Sequence, residues 1–438
     1  MNARAVLERR PAVSRRANAA RWTTAERIVL TCVITGLLGS FVALTEFLAA
    51  MRAQATSNSI IPAEVLKTPL YYAAHAAQIA LLVTGGVIAL HYTNPRLIEP
   101  GYLSRFALFL GAGFLMTVRG YSLAELLSTK LVDSTGPFVC LISLLVFVGA
   151  RRKNWRVLNK VLAIMAVLFS TLAMIAMAHV QGASRAEATM QMANVLNILY
   201  WPAAWLVLKK HARNSIGGRL RFFPIAIYAL GSVFVQTRLN IVMLFGLLLM
   251  YTYLQRKRRV PQSPVWIIGI GLTVWVSLAT AVFFSETRAF RKLEDAATAF
   301  SERLDEDTRT GQLQSFMESV GPSELVLGRG AMATWQWGAV TWRGGTDIGY
   351  LTLLLYGGVP LLVTYILVHI RPSLAVLRRN PNDWQVTAAA IVLLWSLRMF
   401  SSSYPGMTLE YYPVLFCVGA CISREVLPTE ALRRGRHR

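Results

Sequence analysis

Residues 347–370 read "DIGYLTLLLYGGVPLLVTYILVHI". After the carboxylate of Asp347 the run carries no acidic residue, Lys or Arg until Arg371. An α-helix rises about 1.5 Å per residue, so about 20 apolar residues cross a hydrocarbon core of about 30 Å. The stretch is therefore predicted as a transmembrane helix, and it starts at a charge that is costly to bury unpaired. Two readings of Asp347 stay open. Thr346 or Asp347 can cap the helix and complement its dipole, or the carboxylate can act as a base in a reaction.

Similar runs recur throughout the chain, at about 28–50, 70–91, 102–118, 136–150, 157–179, 192–208, 222–236, 239–254, 265–285, 384–401 and 409–422. With 347–370 they predict an all-α polytopic membrane protein of about 12 transmembrane helices. The fourth, eighth and twelfth are short. Composition agrees: 55% of residues are hydrophobic, 15% are charged and the mean hydropathy is +0.46. A β-barrel would show short alternating segments, and none are evident. Cys32, Cys140, Cys417 and Cys421 all lie in apolar runs, so they read as small buried residues and not as a disulfide framework or zinc ligands. The first 27 residues hold seven arginines, but the apolar run that follows is too long for a signal peptide and lacks a clear cleavage site. It reads as a retained first helix.

The formal charge of +23 becomes intelligible once the charges are placed. With the N-terminus inside, segments 1–27, 91–105, 151–160, 209–221, 255–259, 371–383 and 424–438 are cytoplasmic, and they hold 31 of the 45 Lys and Arg residues. Lys and Arg mark cytoplasmic loops, and they attract anionic headgroups. Nucleic acid is not needed as a partner. The predicted organisation is a basic cytoplasmic tail (1–27), helices one to nine (28–285), a periplasmic helical loop (286–346), helices ten to twelve (347–422) and a second basic tail (423–438). A transporter built from two similar halves would put its long loop inside, after helix six. Here the long loop follows helix nine, outside.

With Asp347 included, that loop holds 10 of the 22 acidic residues. Phe290, Leu293, Ala297, Phe300 and Leu304 repeat at helical spacing, which predicts an amphipathic helix on the membrane surface. Asp307 or Thr308 can cap a second helix, "TGQLQSFMESV", ended by Gly321-Pro322. "LVLGRG" and "AMATWQWGAVTW" then lead back to the bilayer. Trp335, Trp337 and Trp342 read either as interfacial anchors or as a platform on which sugars stack. Arg238, Arg288 and Arg398 stand at outer helix ends, where Arg often only snorkels. Together with Arg309 in the loop, they could converge as bidentate donors for phosphate oxygens. No His/carboxylate pattern of the zinc kind and no Asp-x-Asp pair is present, so the site residues imply no metal and no cofactor.

This layout resembles the O-antigen polymerase and ligase superfamily of bacterial envelope glycosyltransferases. "QTRLN" is similar to the family's Ser/Thr-Arg turn at Arg238. "DTRTGQLQSF" followed by "ELVLGRG" resembles its loop pattern, with the second arginine at Arg309. "TDIGYLTLLLYGGVP" resembles the segment that carries His-Asn in ligases; Thr346-Asp347 replaces that pair here, which favours the polymerase branch. The resemblance implies a metal-independent enzyme of the bacterial inner membrane with both termini cytoplasmic. It would move a growing glycan from a polyprenyl-diphosphate carrier onto a lipid-linked repeat unit at the periplasmic face. Arg238 and Arg309 would hold the diphosphate, with Arg288, Arg398, Arg329, Trp335 and Trp337 as further substrate contacts, and Asp347 would serve the acceptor. Membrane lipids and a chain-length-regulating membrane protein are the implied partners. A ligase, or a transporter of lipid-linked sugars, is the alternative.

Overall fold

The computed structural model describes residues 23–57, 69–120, 138–179, 185–210, 221–235, 238–258, 308–331, 333–337, 340–343, 348–379, 382–400 and 409–425. The first half of the chain supplies α1 (Thr24–Ser57), α2 (Pro69–Tyr92), α3 (Tyr102–Gly120), α4 (Phe138–Ile142), α5 (Leu145–Ala150), α6 (Trp155–His179) and α7 (Arg185–Leu208). Then come α8 (Phe223–Val235), α9 (Arg238–Lys257), α10 (Thr308–Ser319) and α11 (Pro322–Leu327). Strands β1 (Thr334–Trp337) and β2 (Val340–Arg343) precede α12 (Gly349–Tyr365), α13 (Arg371–Arg378), α14 (Asp383–Arg398) and α15 (Tyr412–Ile422). A π-helical turn, Ile366–Ile370, joins α12 to α13. The expected span at 265–285 and the surface helix built on Phe290 to Leu304 lie outside the described residues.

Among the described residues, six stretches are long and apolar enough to cross a membrane: Thr24–Val42, Pro69–Tyr92, Tyr102–Gly120, Arg152–Met177, Leu239–Lys257 and Gly349–Arg378. The protein is a helical multi-pass membrane protein. Shorter apolar helices stand beside these stretches, at Cys140–Ala150, Met192–Leu208, Phe223–Ser232 and Tyr412–Ile422. The expected fourth span is two short helices, α4 and α5, divided at Ser143-Leu144. Every residue of α5 and of α15 is buried. Gly419 lets these two helices meet backbone to backbone, since a Cβ there would lie 2.0 Å from Val146 O. A helix enclosed by protein can be short because its terminal polar groups meet protein and not lipid. The outer faces are apolar instead, as with Phe114, Leu115, Ile164 and Phe245, all more than 60% exposed.

Charged residues from distant segments meet at one end of the bundle. Arg151 joins Glu26 at 3.0 Å and donates to Tyr92 O, while Arg152 N donates to Glu425. Arg424 N donates to Leu97 O, and Gln385 donates to Ser423 O. Arg258 reaches Leu208 O and Asp383, which also meets Lys210. Trp155 stacks on Trp205 and packs against Trp384, closing the ring. The described parts of all seven segments assigned to one side by their basic residues therefore meet at one end of the bundle.

At the opposite end, Gly349 N donates to Met399 O at 2.8 Å, which sets the start of α12 level with the end of α14. The Trp-rich passage adds two short strands to an otherwise helical fold. It forms an antiparallel hairpin with Trp335 opposite Trp342 and Trp337 opposite Val340. Its alternating, β-branched and aromatic composition suits a pleated surface better than a helix.

Candidate functional site

Helix α12 breaks within its apolar run. Gly358 has φ 65° and ψ −163°, a region open essentially only to glycine, and Pro360 follows it. Two carbonyls lose their helical donors there. Pro360 has no N–H for Tyr356 O, and the turn at Gly358 removes Val359 N from Leu355 O. The Gly-Arg-Gly loop supplies both replacements: Arg329 N donates to Leu355 O at 2.7 Å, and Gly330 N donates to Tyr356 O at 2.9 Å. On its other side, Ala331 N donates to Met116 O at 3.2 Å. The loop is thus wedged between α3 and the break in α12.

Arg329 holds this wedge together. Its guanidinium donates to Thr334 O at 2.7 Å, to Ser319 O at 2.5 Å and to Glu324 at 2.7 Å. It ties the end of α10, the first turn of α11 and the start of β1. Both of its outer nitrogens are bonded to the protein, which gives it a structural role at this wedge. Glu324 also accepts from Gly321 N at 2.9 Å.

Trp335 is likewise no platform. It is 3% exposed and packs edge-on against Phe316, with ring centroids 6.0 Å apart. Gln312, Phe316 and Val320, at steps of four along the chain, form the buried face beneath it. For Trp337 only the backbone pairing is described.

Arg398, the last residue of α14, is 4% exposed. Its guanidinium lies over the rings of Trp201 and Trp395, 5.8 and 5.7 Å from their centroids, and Glu410 meets it at 2.9 Å. Glu410 had not been singled out in the sequence. The nearest signal was an acidic residue just ahead of an apolar helix, and its partner lies across residues 401–408. Arg398 therefore arrives with its charge already matched. Replacing a buried Arg strands the carboxylate, so Arg398→Met is expected to destabilise the protein by about 3–5 kcal/mol. The double variant Arg398→Met, Glu410→Gln should recover much of that loss. Thermal unfolding of the purified proteins in detergent checks it; a single variant as stable as the parent would show that the pair does not hold this end.

The remaining nominated residues divide. Arg238 opens α9 at this same end of the bundle, since the other end of α9 carries Lys257 and Arg258. Arg309 stands in the first turn of α10. Only the backbone of each is described. Arg288 and Asp347 lie outside the described residues. The cap expected at Thr346 or Asp347 falls on residues that lie outside the described ones, which resume at Ile348, with φ −106° and ψ 106°, just before α12. No family model, curated protein or solved structure matches this chain.

Proposed function

We propose that the protein is a polysaccharide polymerase with about 12 membrane spans, acting at the periplasmic face of a bacterial inner membrane. The observation that carries this reading is the meeting of α12 and α14. Gly349, two residues after Asp347, is bonded to Met399, next to Arg398, at the end opposite the basic one. Arg238 opens a helix at that same end. A carboxylate and arginines at one membrane-level rim are what transfer from a lipid diphosphate needs.

In the proposed step, a hydroxyl of the lipid-linked repeat unit attacks the anomeric carbon of the donor glycan. The bond from that carbon to the diphosphate oxygen breaks, polyprenyl diphosphate leaves, and the hydroxyl proton passes to Asp347. Arg238 and Arg309, with Arg288, balance the charge growing on the leaving diphosphate. Arg398 acts as a positioning residue that holds the rim, through Glu410.

Arg238→Ala and Arg309→Ala are each expected to cut polymer by about a hundred- to a thousandfold at normal protein level, the usual cost of losing one donor to a developing anion. Lys should rescue only in part, because an ammonium keeps the charge and loses the fork. Surface glycan from a strain lacking the protein gives the broader test. Single repeat units support a polymerase, long polymer left on the carrier supports a ligase, and units stranded inside support a flippase. The broken α12 favours that last reading, since transporters build sites at interrupted helices. Substrate flipping by the purified protein, with no new glycosidic bond, would establish it in place of the polymerase.

A further inference from the structure

We infer that residues 321–331 form a re-entrant segment, entering and leaving the bilayer on one side and setting Val326 and Leu327 against lipid hydrocarbon. The inference rests on the membrane-spanning fold and is independent of the polymerase reading.

Depth comes first, and two helices report it. Arg105 donates to Leu367 O, which puts these two residues level near the basic end. From Arg105 up α3 to Met116, where Ala331 docks, is eleven residues, or about 16 Å. From Leu367 up α12 to Tyr356, where Gly330 docks, is also eleven residues, or about 16 Å. From Tyr356 to Gly349, level with the end of α14, is a further seven residues, or about 10 Å. The tip of the loop therefore lies well inside the span of the bundle, against a hydrocarbon core of about 30 Å.

The path comes next. Ser319, before the segment, and Thr334, after it, both give their carbonyls to the guanidinium of Arg329. The chain thus leaves where it enters. Irregular backbone survives at membrane depth only when its polar groups are met by protein. Here Arg329 N, Gly330 N and Ala331 N all donate to helix carbonyls, and Gly328 N closes α11 on Glu324 O at 2.7 Å. Arg119 donates to Leu327 O at 2.9 Å and caps the same short helix.

The occupant follows from continuity. Val326 and Leu327 are 53% and 57% exposed, although water is the wrong neighbour at that depth. The bond from Arg119 joins α11 to the outer stripe of α3. Leu115, one turn below Arg119, is 61% exposed, and Val118 beside it is 55% exposed. That stripe belongs to a helix long and apolar enough to cross a membrane, so lipid chains that cover it run on over α11.

The test uses the full chain in liposomes. Val326→Cys and Leu327→Cys are spin-labelled, with Gln314→Cys on the exposed face of α10 as the reference in water. The parent, with its own four cysteines, sets the background. Collision with apolar oxygen is expected to exceed collision with a water-soluble nickel chelate at both α11 positions, and the order is expected to reverse at Gln314. Dominant nickel collision at Val326 and Leu327 would place the segment in water and overturn the inference. Low collision with both reagents would mean that a second copy or another part of the chain covers α11, which also overturns it. If the cysteine variants fail to accumulate, Val326→Trp with bromine-labelled lipid chains serves instead. Its fluorescence should be quenched by the lipid and not by iodide, and the opposite pattern overturns the inference.

Discussion

Asp347→Asn is expected to accumulate at wild-type level, remain folded and make almost no polymer, a loss of about a hundred- to ten-thousandfold in rate. The substitution separates two demands on one side chain. A helix cap needs a short oxygen acceptor, and Asn supplies one nearly as well as Asp. A base needs a titratable carboxylate at fixed reach, which Asn cannot supply however well it caps. If Asn at 347 leaves protein level and folding unchanged, a loss of activity reads as lost chemistry. Glu keeps the carboxylate but moves it by one methylene, so Asp347→Glu should retain partial activity at most. Polymer yield and chain length, measured against protein level in the membrane, decide the matter. Wild-type polymer from Asp347→Asn would remove the residue from the mechanism, and the search for a base would move to Glu286, Glu318 or His179.

Local properties of the chain were legible from sequence, and those that depend on partners far along the chain were not. Hydrophobic length is local, so apolar runs such as 70–91, 102–118 and 157–179 coincide with α2, α3 and α6. The Lys/Arg distribution is also read segment by segment, and those segments do meet at one end, where Arg151 reaches Glu26 and Arg258 reaches Asp383. The apolar run 347–370 reads as one continuous helix, and the structure breaks it at Gly358, ahead of Pro360. What the run cannot announce is that Arg329 and Gly330, nearly thirty residues earlier, supply the missing donors. The same limit hid the place of Trp335. Nothing around it says whether Phe316 or water lies beyond the ring, so an anchor, a platform and a core residue look alike. For Arg398, the matching Glu410 lies twelve residues further along the chain, and an arginine that looked available for substrate already has a carboxylate beside it.

Gly328→Ala is expected to undock the loop from α12 and, with it, to abolish function while the helical bundle persists. Gly328 has φ 72° and ψ 166°, the same glycine-only region that Gly358 occupies. An alanine held there costs about 1–3 kcal/mol in backbone strain alone. Its Cβ would then lie 2.4 Å from Tyr356 O and 2.6 Å from both Gly357 N and Gly358 N. These are main-chain atoms, so no side chain can swing aside, and overpacking of this kind adds about another 1–3 kcal/mol. The cheapest relief is withdrawal of the loop, which gives up the bonds of Arg329 N and Gly330 N and strands two carbonyls within the membrane. Gly311→Ala is the control. Gly311 lies within α10 with nothing within 4 Å of its would-be Cβ, so alanine there should be neutral or stabilising, by up to about 1 kcal/mol. Limited proteolysis in native membranes reports the docking directly. Cleavage between α10 and β2 should rise sharply in Gly328→Ala and stay at the parent level in Gly311→Ala. If Gly328→Ala resisted protease as the parent does, the fit of this loop into the broken helix would not be what holds the segment in place.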